Sequence, residues 1–304
     1  MVEDANGTNL QNSAKRHCII DSEDGLIINP QLALTKQIYK SFGSATTVEL
    51  YNDTIIDTPV IIKRLDKKLL FTEAQNESAK RELEIHRSLN HPNIVQLYDG
   101  CETNDEFLFV MEYIPRHDYF TEKIEVNNRP FNSKSDGGID KLKSFTYDIL
   151  KGLEYLHDNH IIHLDLKPAN LMVKPVTQSN EYPLVKIGDF GLSRRFGEEG
   201  GVIIDQKCGT DKYIPPEVRS GAWITPAVDM WCFGLILHTL TVGFAPYVLK
   251  WNPGQEIPFN PRWWKKYKDT GLTDLISSCL KLDPAERITA KEALNHKWFD
   301  CRLG

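Results

Sequence analysis

Three oxygen-bearing side chains, Asp165, Asn170 and Asp189, stand close together in a 304-residue chain. They lie in His163-Leu164-Asp165-Leu166-Lys167-Pro168-Ala169-Asn170 and in Lys186-Ile187-Gly188-Asp189-Phe190-Gly191. Two carboxylates and an amide oxygen are hard donors. They suit a divalent cation carrying phosphate rather than a soft metal.

These residues need elements to bring them together. Leu171-Met172-Val173 and Leu184-Val185-Lys186-Ile187 read as the strands of a hairpin, which sets the loop before its first strand beside the loop after its second. Asp165 and Asn170 then arrive next to Asp189. Leu142, Phe145, Ile149, Leu153 and Leu156 mark an amphipathic helix running into this stretch. Upstream, β-branched runs at Ala45–Tyr51 and Pro59–Lys63 predict antiparallel strands. A helix follows from about Thr72 to Leu89, with Glu82, Ile85, His86 and Leu89 on one face. A carboxylate on an inward face needs a partner, and Lys63 on the preceding strand is the nearest candidate.

Two more strands, His91–Tyr98 and Phe107–Tyr113, flank a Thr103-Asn104-Asp105 turn. Residues 127–138 read as a long loop. Beyond Gly191 an irregular, glycine-rich stretch reaches Pro215-Pro216-Glu217. Ala227–Leu240 is apolar almost all round and predicts a helix buried in the core. Asp229 inside it must accept hydrogen bonds. Helical patterns return at Leu272–Leu282 and Ala290–His296. Sheet with one helix, then mostly helices, is an α+β chain with two lobes.

Hydrophobic content of 41% and charged content of 26% are ordinary for a globular protein. A net charge of −6 argues against a general nucleic-acid binder. The six cysteines show no C-x-x-C pair and read as reduced thiols in an intracellular, cytoplasmic setting. No signal-peptide pattern and no bilayer-spanning apolar run is seen. Residues 1 to about 30 are polar, with one apolar patch at Cys18-Ile19-Ile20, and read as a mobile extension docking at most one short strand.

The H-x-D-L-K-x-x-N and D-F-G pieces, in this order, resemble the catalytic and metal-binding loops of eukaryotic protein kinases. The resemblance runs from about Thr35 to Phe299. It implies an N-terminal extension over 1–34, an N-lobe over 35–114, a C-lobe over 115–299 and a short tail. It also implies ATP and Mg²⁺ as cofactors and proteins as substrates. Val60-Ile61-Ile62-Lys63 resembles the family's V-A-I-K strand, which gives Lys63 to the α- and β-phosphates and Glu82 to Lys63. Asp165 would accept, or at least orient, the proton of the attacking hydroxyl. Asn170 and Asp189 would hold Mg²⁺.

Lys167 and Cys208-Gly209-Thr210 resemble the serine/threonine branch, with Thr210 bracing Asp165 and Lys167. Met111 matches the residue behind the adenine. Glu112 and Ile114 match the backbone partners of the base, and Asp118 a ribose contact. Ile38, Gly43, Ala45, Ile61 and Met172 complete the nucleotide set. Glu217 would pair with Arg287, and Asp229 would bond the catalytic-loop backbone.

Three departures from the pattern carry consequences. The phosphate-covering loop is Ile38-Tyr39-Lys40-Ser41-Phe42-Gly43, so of its three expected glycines only Gly43 remains, and weaker nucleotide binding is expected. Ile61 stands for the family's alanine while Ala45 stands for its valine, which reads as one volume-compensated exchange. Leu164 replaces the arginine before Asp165, and residues 194–208 contain no Ser, Thr or Tyr. Receptor and phosphate acceptor are absent together, implying a kinase not switched by phosphorylation of that loop. His86 reads as a satisfied core histidine. The competing reading is a pseudokinase that binds nucleotide or acts as a scaffold. A small-molecule kinase is more distant.

Overall fold

A computed structural model describes residues 19–22, 25–28, 32–40, 45–54, 57–122, 131, 138–175, 182–204, 209–219, 221, 223–243, 252–260, 264–267 and 269–300. The chain divides into two compact units. One holds the residues up to Asn90 together with Val95–Tyr113, the other His91–Ile94 and everything from Ile114 onward.

The first unit is built on a five-stranded antiparallel sheet. Its strands are β3 (Leu32–Lys40), β4 (Thr46–Asp53), β5 (Thr58–Asp66), β6 (Leu97–Glu102) and β7 (Glu106–Glu112), in the order β3-β4-β5-β7-β6. Side chains alternate across a strand, and β5 uses both faces. Val60 and Ile62 enter a cluster with Leu32, Tyr51, Leu108 and Val110. Leu65, on the other face, packs with Phe107, Phe109 and two residues of α1 (Glu73–Arg87), Ala79 and Leu83. Lys63 shares the parity of Leu65 and so projects toward α1. That helix starts on a capping box, in which the Thr72 hydroxyl accepts from Gln75 N–H and the Gln75 side chain accepts from Thr72 N–H.

Ahead of the sheet, β1 (Ile19–Ser22) and β2 (Gly25–Ile28) pair with each other, register Ile19↔Ile28 to Ser22↔Gly25. One short docked strand was expected and a two-stranded ladder is found. The mobile-extension reading covers residues 1 to about 30, of which 1–18, 23–24 and 29–30 lie outside the described residues.

The second unit is mostly helical. Its long elements are α3 (Gly138–Asp158) and α5 (Ala227–Val242); α2 (Tyr119–Thr121) and α4 (Pro216–Arg219) are single turns. α6 (Leu272–Cys279) and α7 (Ala290–Leu294) follow. Both end two or three residues before the expected limits, α6 ahead of Asp283-Pro284 and α7 at Asn295, whose N–H closes the last turn. α5 is buried from Val228 to Val242, as its unbroken apolar run requires, and stops at Gly243 in the left-handed conformation, φ 92°. Among the described residues no helix is long and apolar enough to cross a membrane. Of the loop expected over 127–138, only Phe131 and Gly138 are described, and Gly138 already opens α3.

The hairpin at the centre of the unit is β9 (Leu171–Lys174) paired with β10 (Leu184–Ile187). Short β8 (Ile161–Ile162) and β11 (Arg194–Arg195) pair beside it. The strand expected from His91 begins only at Leu97. His91–Ile94 instead joins β10: Ile187 N–H donates to Asn93 O at 2.9 Å, Asn93 Nδ2 to Val185 O at 3.0 Å, and Lys186 Nζ to Ile94 O at 3.1 Å. Donors and acceptors of β10, distant in sequence, captured a stretch whose β-rich composition suited either role.

Candidate functional site

In the first unit the sheet and α1 bring together one ion pair. Lys63 Nζ lies 2.6 Å from Glu82 Oε1, with side chains only 16% and 7% exposed. Phe109, opposite Lys63 in the ladder, presents its ring 5.5 Å from the ammonium. Burial of this order weakens screening and makes each charge depend on the other.

Ile61 stands opposite Leu50 on one side and Met111 on the other, on the Lys63 face. Ala45 immediately precedes β4, its carbonyl accepting from Asp66 N–H at 3.0 Å. Ile61 and Ala45 are therefore not cross-strand neighbours. Ile38 is half-buried in β3, where the ladder shifts register between Gln37 and Tyr39. Gly43 lies outside the described residues. Glu112 N–H donates to Gln96 O at 2.9 Å.

In the second unit Asp165 is gripped from two sides. Lys167 Nζ donates to its Oδ2 at 2.6 Å and Thr210 Oγ1 to its Oδ1 at 2.8 Å. Lys167 also reaches the Thr210 hydroxyl at 2.9 Å, closing a triangle. Asn170 Nδ2 donates to the Asp165 carbonyl at 2.8 Å. The hairpin then does what its topology predicts: Gly188 N–H donates to Asn170 O at 2.9 Å, which ties the loop before β9 to the loop after β10. Asp189 follows at once, exposed and with a left-handed φ of 63°. A non-glycine residue in that region stores strain, which marks functional turns.

Beneath this, His163 knits the two loops. Its Nδ1 accepts from Asp165 N–H at 3.3 Å and its Nε2 lies 3.1 Å from Gly188 O, so one ring bridges both loops. Asp229, wholly buried on α5, accepts from the amides of His163 and Leu164 and from His157 Nε2 at 3.0 Å. Burial pushes its carboxyl up, but the hydrogen bond and charge of His157, with His163, outweigh this and hold it below the usual carboxylate range. Glu217 meets Arg287 Nη2 at 2.8 Å, with the arginine side chain fully buried. Leu164 adopts φ 67° and packs with Ile162, Ile214, Val218, Ile224 and Val228.

Of the remaining residues proposed for nucleotide, Ile114 is buried, Met172 is half-buried in β9 and Asp118 is exposed just before α2. His86 is buried, its Nε2 2.8 Å from Val95 O, a core histidine with its polar atom satisfied.

Two participants escaped sequence reasoning. Ser193 is completely buried and donates Oγ–H to His163 O at 3.2 Å. Asp148 on α3 accepts Val185 N–H at 2.9 Å and also meets Asn93; burial pushes its carboxyl up to about 6 against these two bonds. Its place between the buried neighbours Phe145 and Ile149 was the available signal.

The donor set fits a hard cation. Both side-chain hydrogen bonds of Asn170 among the described residues use Nδ2. Its amide oxygen, with the Asp189 carboxylate, matches the ligands Mg²⁺ prefers.

The protein kinase domain family matches residues 42–299. The chain is 33% identical over 275 residues to serine/threonine protein kinase OSK3 of Oryza sativa subsp. indica, a match covering 86% of this chain and 49% of that protein. It is 34% identical over 247 residues to calcium/calmodulin-dependent protein kinase type IV of Rattus norvegicus, covering 79% and 47%. A probable myosin light chain kinase of Dictyostelium discoideum is 33% identical over 252 residues, covering 79% and 59%. The chain spans about half the length of the curated relatives it matches.

Proposed function

The chain belongs to the protein kinase domain family, and on that premise we propose that it transfers the γ-phosphoryl group of ATP, carried with Mg²⁺, to serine and threonine hydroxyls of protein substrates. The observation that carries this reading is the Asp165–Lys167–Thr210 triangle. It holds one carboxylate in a single orientation, with an ammonium beside it. Such a carboxylate orients an incoming hydroxyl and takes its proton, while the ammonium steadies charge on the transferred group.

Within the first unit, Lys63 holds the α- and β-phosphates and Glu82 holds Lys63 in place. Ile38 and Gly43 belong to the loop that covers the nucleotide's phosphates, Ala45, Ile61 and Met111 line the base, and Glu112 supplies a backbone bond. Within the second unit, Ile114, Asp118 and Met172 complete the nucleotide contacts. Asn170 and Asp189 hold the metal. Mg²⁺, when bound, neutralises charge on the phosphate oxygens.

We also read the enzyme as independent of phosphorylation within 194–208. Support comes from Leu164, whose apolar side chain is buried at 6% exposure where a phosphate receptor would stand. Ser193, the nearest hydroxyl before that stretch, is fully buried.

Incubating the protein with Mg-ATP and a generic protein substrate, beside an Asp189→Asn control, tests the assignment. Phosphoserine or phosphothreonine should appear in the first reaction and fall to background in the second. Equal incorporation in both, or none in either, would overturn turnover and leave the nucleotide-binding or scaffold reading.

A further inference from the structure

Among the described residues, 196–204 are seated by backbone hydrogen bonds and apolar packing. Phe196 N–H donates to His160 O at 3.0 Å, and its ring lies 5.1 Å from the His160 ring. Val202 and Ile224 exchange both backbone bonds, at 2.8 and 2.9 Å, as an isolated antiparallel bridge. Phe196, Val202 and Ile204 pack on the Leu164 cluster, which also takes Ile214 and Val218 from the far side of Thr210. Thr210 is thus bracketed by two runs seated on one apolar core.

Beside the bridge, the Trp223 indole lies against Gly201. A methyl group at Gly201 would overlap the ring and come within 2.6 Å of Ile224 O, part of the bridge itself. Gly201 has no left-handed torsion, so the requirement is for space alone. Gly197 contrasts with it: a methyl group there meets nothing. Trp223 remains 41% exposed, so this large ring covers Gly201 rather than filling the core.

We propose that Trp223, seated on Gly201, is a positioning residue that clamps this segment and so keeps Thr210 against Asp165, in the role a phosphate would otherwise fill. The proposal rests on the kinase reading. It goes further in naming the residues that replace phosphate control.

The test uses the full chain, treated with phosphatase, as wild type, Trp223→Ala, Trp223→Phe, Gly201→Ala and Gly197→Ala. Two readouts are taken: steady-state peptide phosphorylation and amide hydrogen exchange. Trp223→Ala and Gly201→Ala should lower kcat about tenfold with the KM for ATP nearly unchanged. Exchange should speed up in 196–204 and 209–219 while α5 stays protected. Trp223→Phe should restore most of the rate, and Gly197→Ala should match wild type. Unchanged exchange in Trp223→Ala, or faster exchange with an unaltered kcat, would overturn the clamp. Faster exchange throughout, α5 included, would mean general unfolding and overturn it equally. An inactive wild-type protein would defeat the kinase reading, while the exchange comparison would still decide whether Trp223 holds the segment.

Discussion

Asp229, in the first turn of α5, accepts the backbone N–H groups of both His163 and Leu164, at 2.9 and 3.0 Å. One buried side chain thereby sets the backbone that delivers Asp165. Leu164, at φ 67°, is held in a conformation that costs a non-glycine residue on the order of 1 kcal/mol or more. Asp229→Ala should destabilise the protein by about 3–5 kcal/mol, because two amides and His157 lose their acceptor together. Asp229→Asn, which keeps one acceptor oxygen, should cost less. Denaturant titration of the three proteins checks the order, and an Ala variant as stable as wild type would refute it.

Asp148 predicts a pH dependence of known sign. Its folded pKa, about 6, is raised by burial above the unfolded value near 4. The fold therefore favours the neutral form. Its contribution is fully present below the unfolded value and is lost as pH rises through the folded one. Relative to Asp148→Asn, wild-type stability should fall between pH 4 and 6.5 by roughly 1–3 kcal/mol. Parallel pH curves for the two proteins would contradict the assignment.

The Lys63–Glu82 pair predicts coupled losses. Glu82→Gln should cut kcat/KM for ATP by about 10- to 100-fold, since the ammonium loses the charge that orients it. Combining it with Lys63→Met should add little to Lys63→Met alone. Steady-state kinetics on the single and double variants read the coupling directly, and additive effects would deny it.

Thr210 offers a finer test at the other unit. Thr210→Ser keeps the hydroxyl that joins Asp165 and Lys167 and should stay within about threefold of wild type, whereas Thr210→Val should lose roughly tenfold or more in kcat. Equal rates for the two variants would remove Thr210 from the triangle's function.

Nucleotide affinity should be poor, because the loop ending at Gly43 lacks two of the three glycines that let backbone amides approach phosphate. Calorimetry with Mg-ATP should return a Kd above the micromolar range. A sub-micromolar value would show that the missing glycines are not needed.

Periodicity and charge made most of this architecture readable. The Lys63–Glu82 pair followed from one inward carboxylate on a helical face and one lysine on the strand before it. A lone acid in an apolar helix required that Asp229 accept hydrogen bonds, while its catalytic-loop donors were implied by the kinase resemblance. What escaped notice was decided by tertiary neighbours. His91–Gln96 reads as strand by composition, yet His91–Ile94 is drawn to β10 by backbone donors that no local pattern reveals. Ser193 and Asp148 are single polar residues whose meaning comes only from the carbonyl and amide they meet. Ile61 and Ala45 looked complementary in volume, but strand register keeps them from being cross-strand partners.

The excursion of His91–Ile94 limits how this molecule can be dissected. Those four residues belong to the unit that otherwise starts at Ile114, although both of their sequence neighbours belong to the other. A truncated chain beginning at Ile114 would leave Val185 O, Ile187 N–H and the Asp148 carboxyl stripped of Asn93. The exposed margin of β10 would then invite pairing with foreign strands. Neither half of this protein can be excised as one uninterrupted stretch and keep all its bonds.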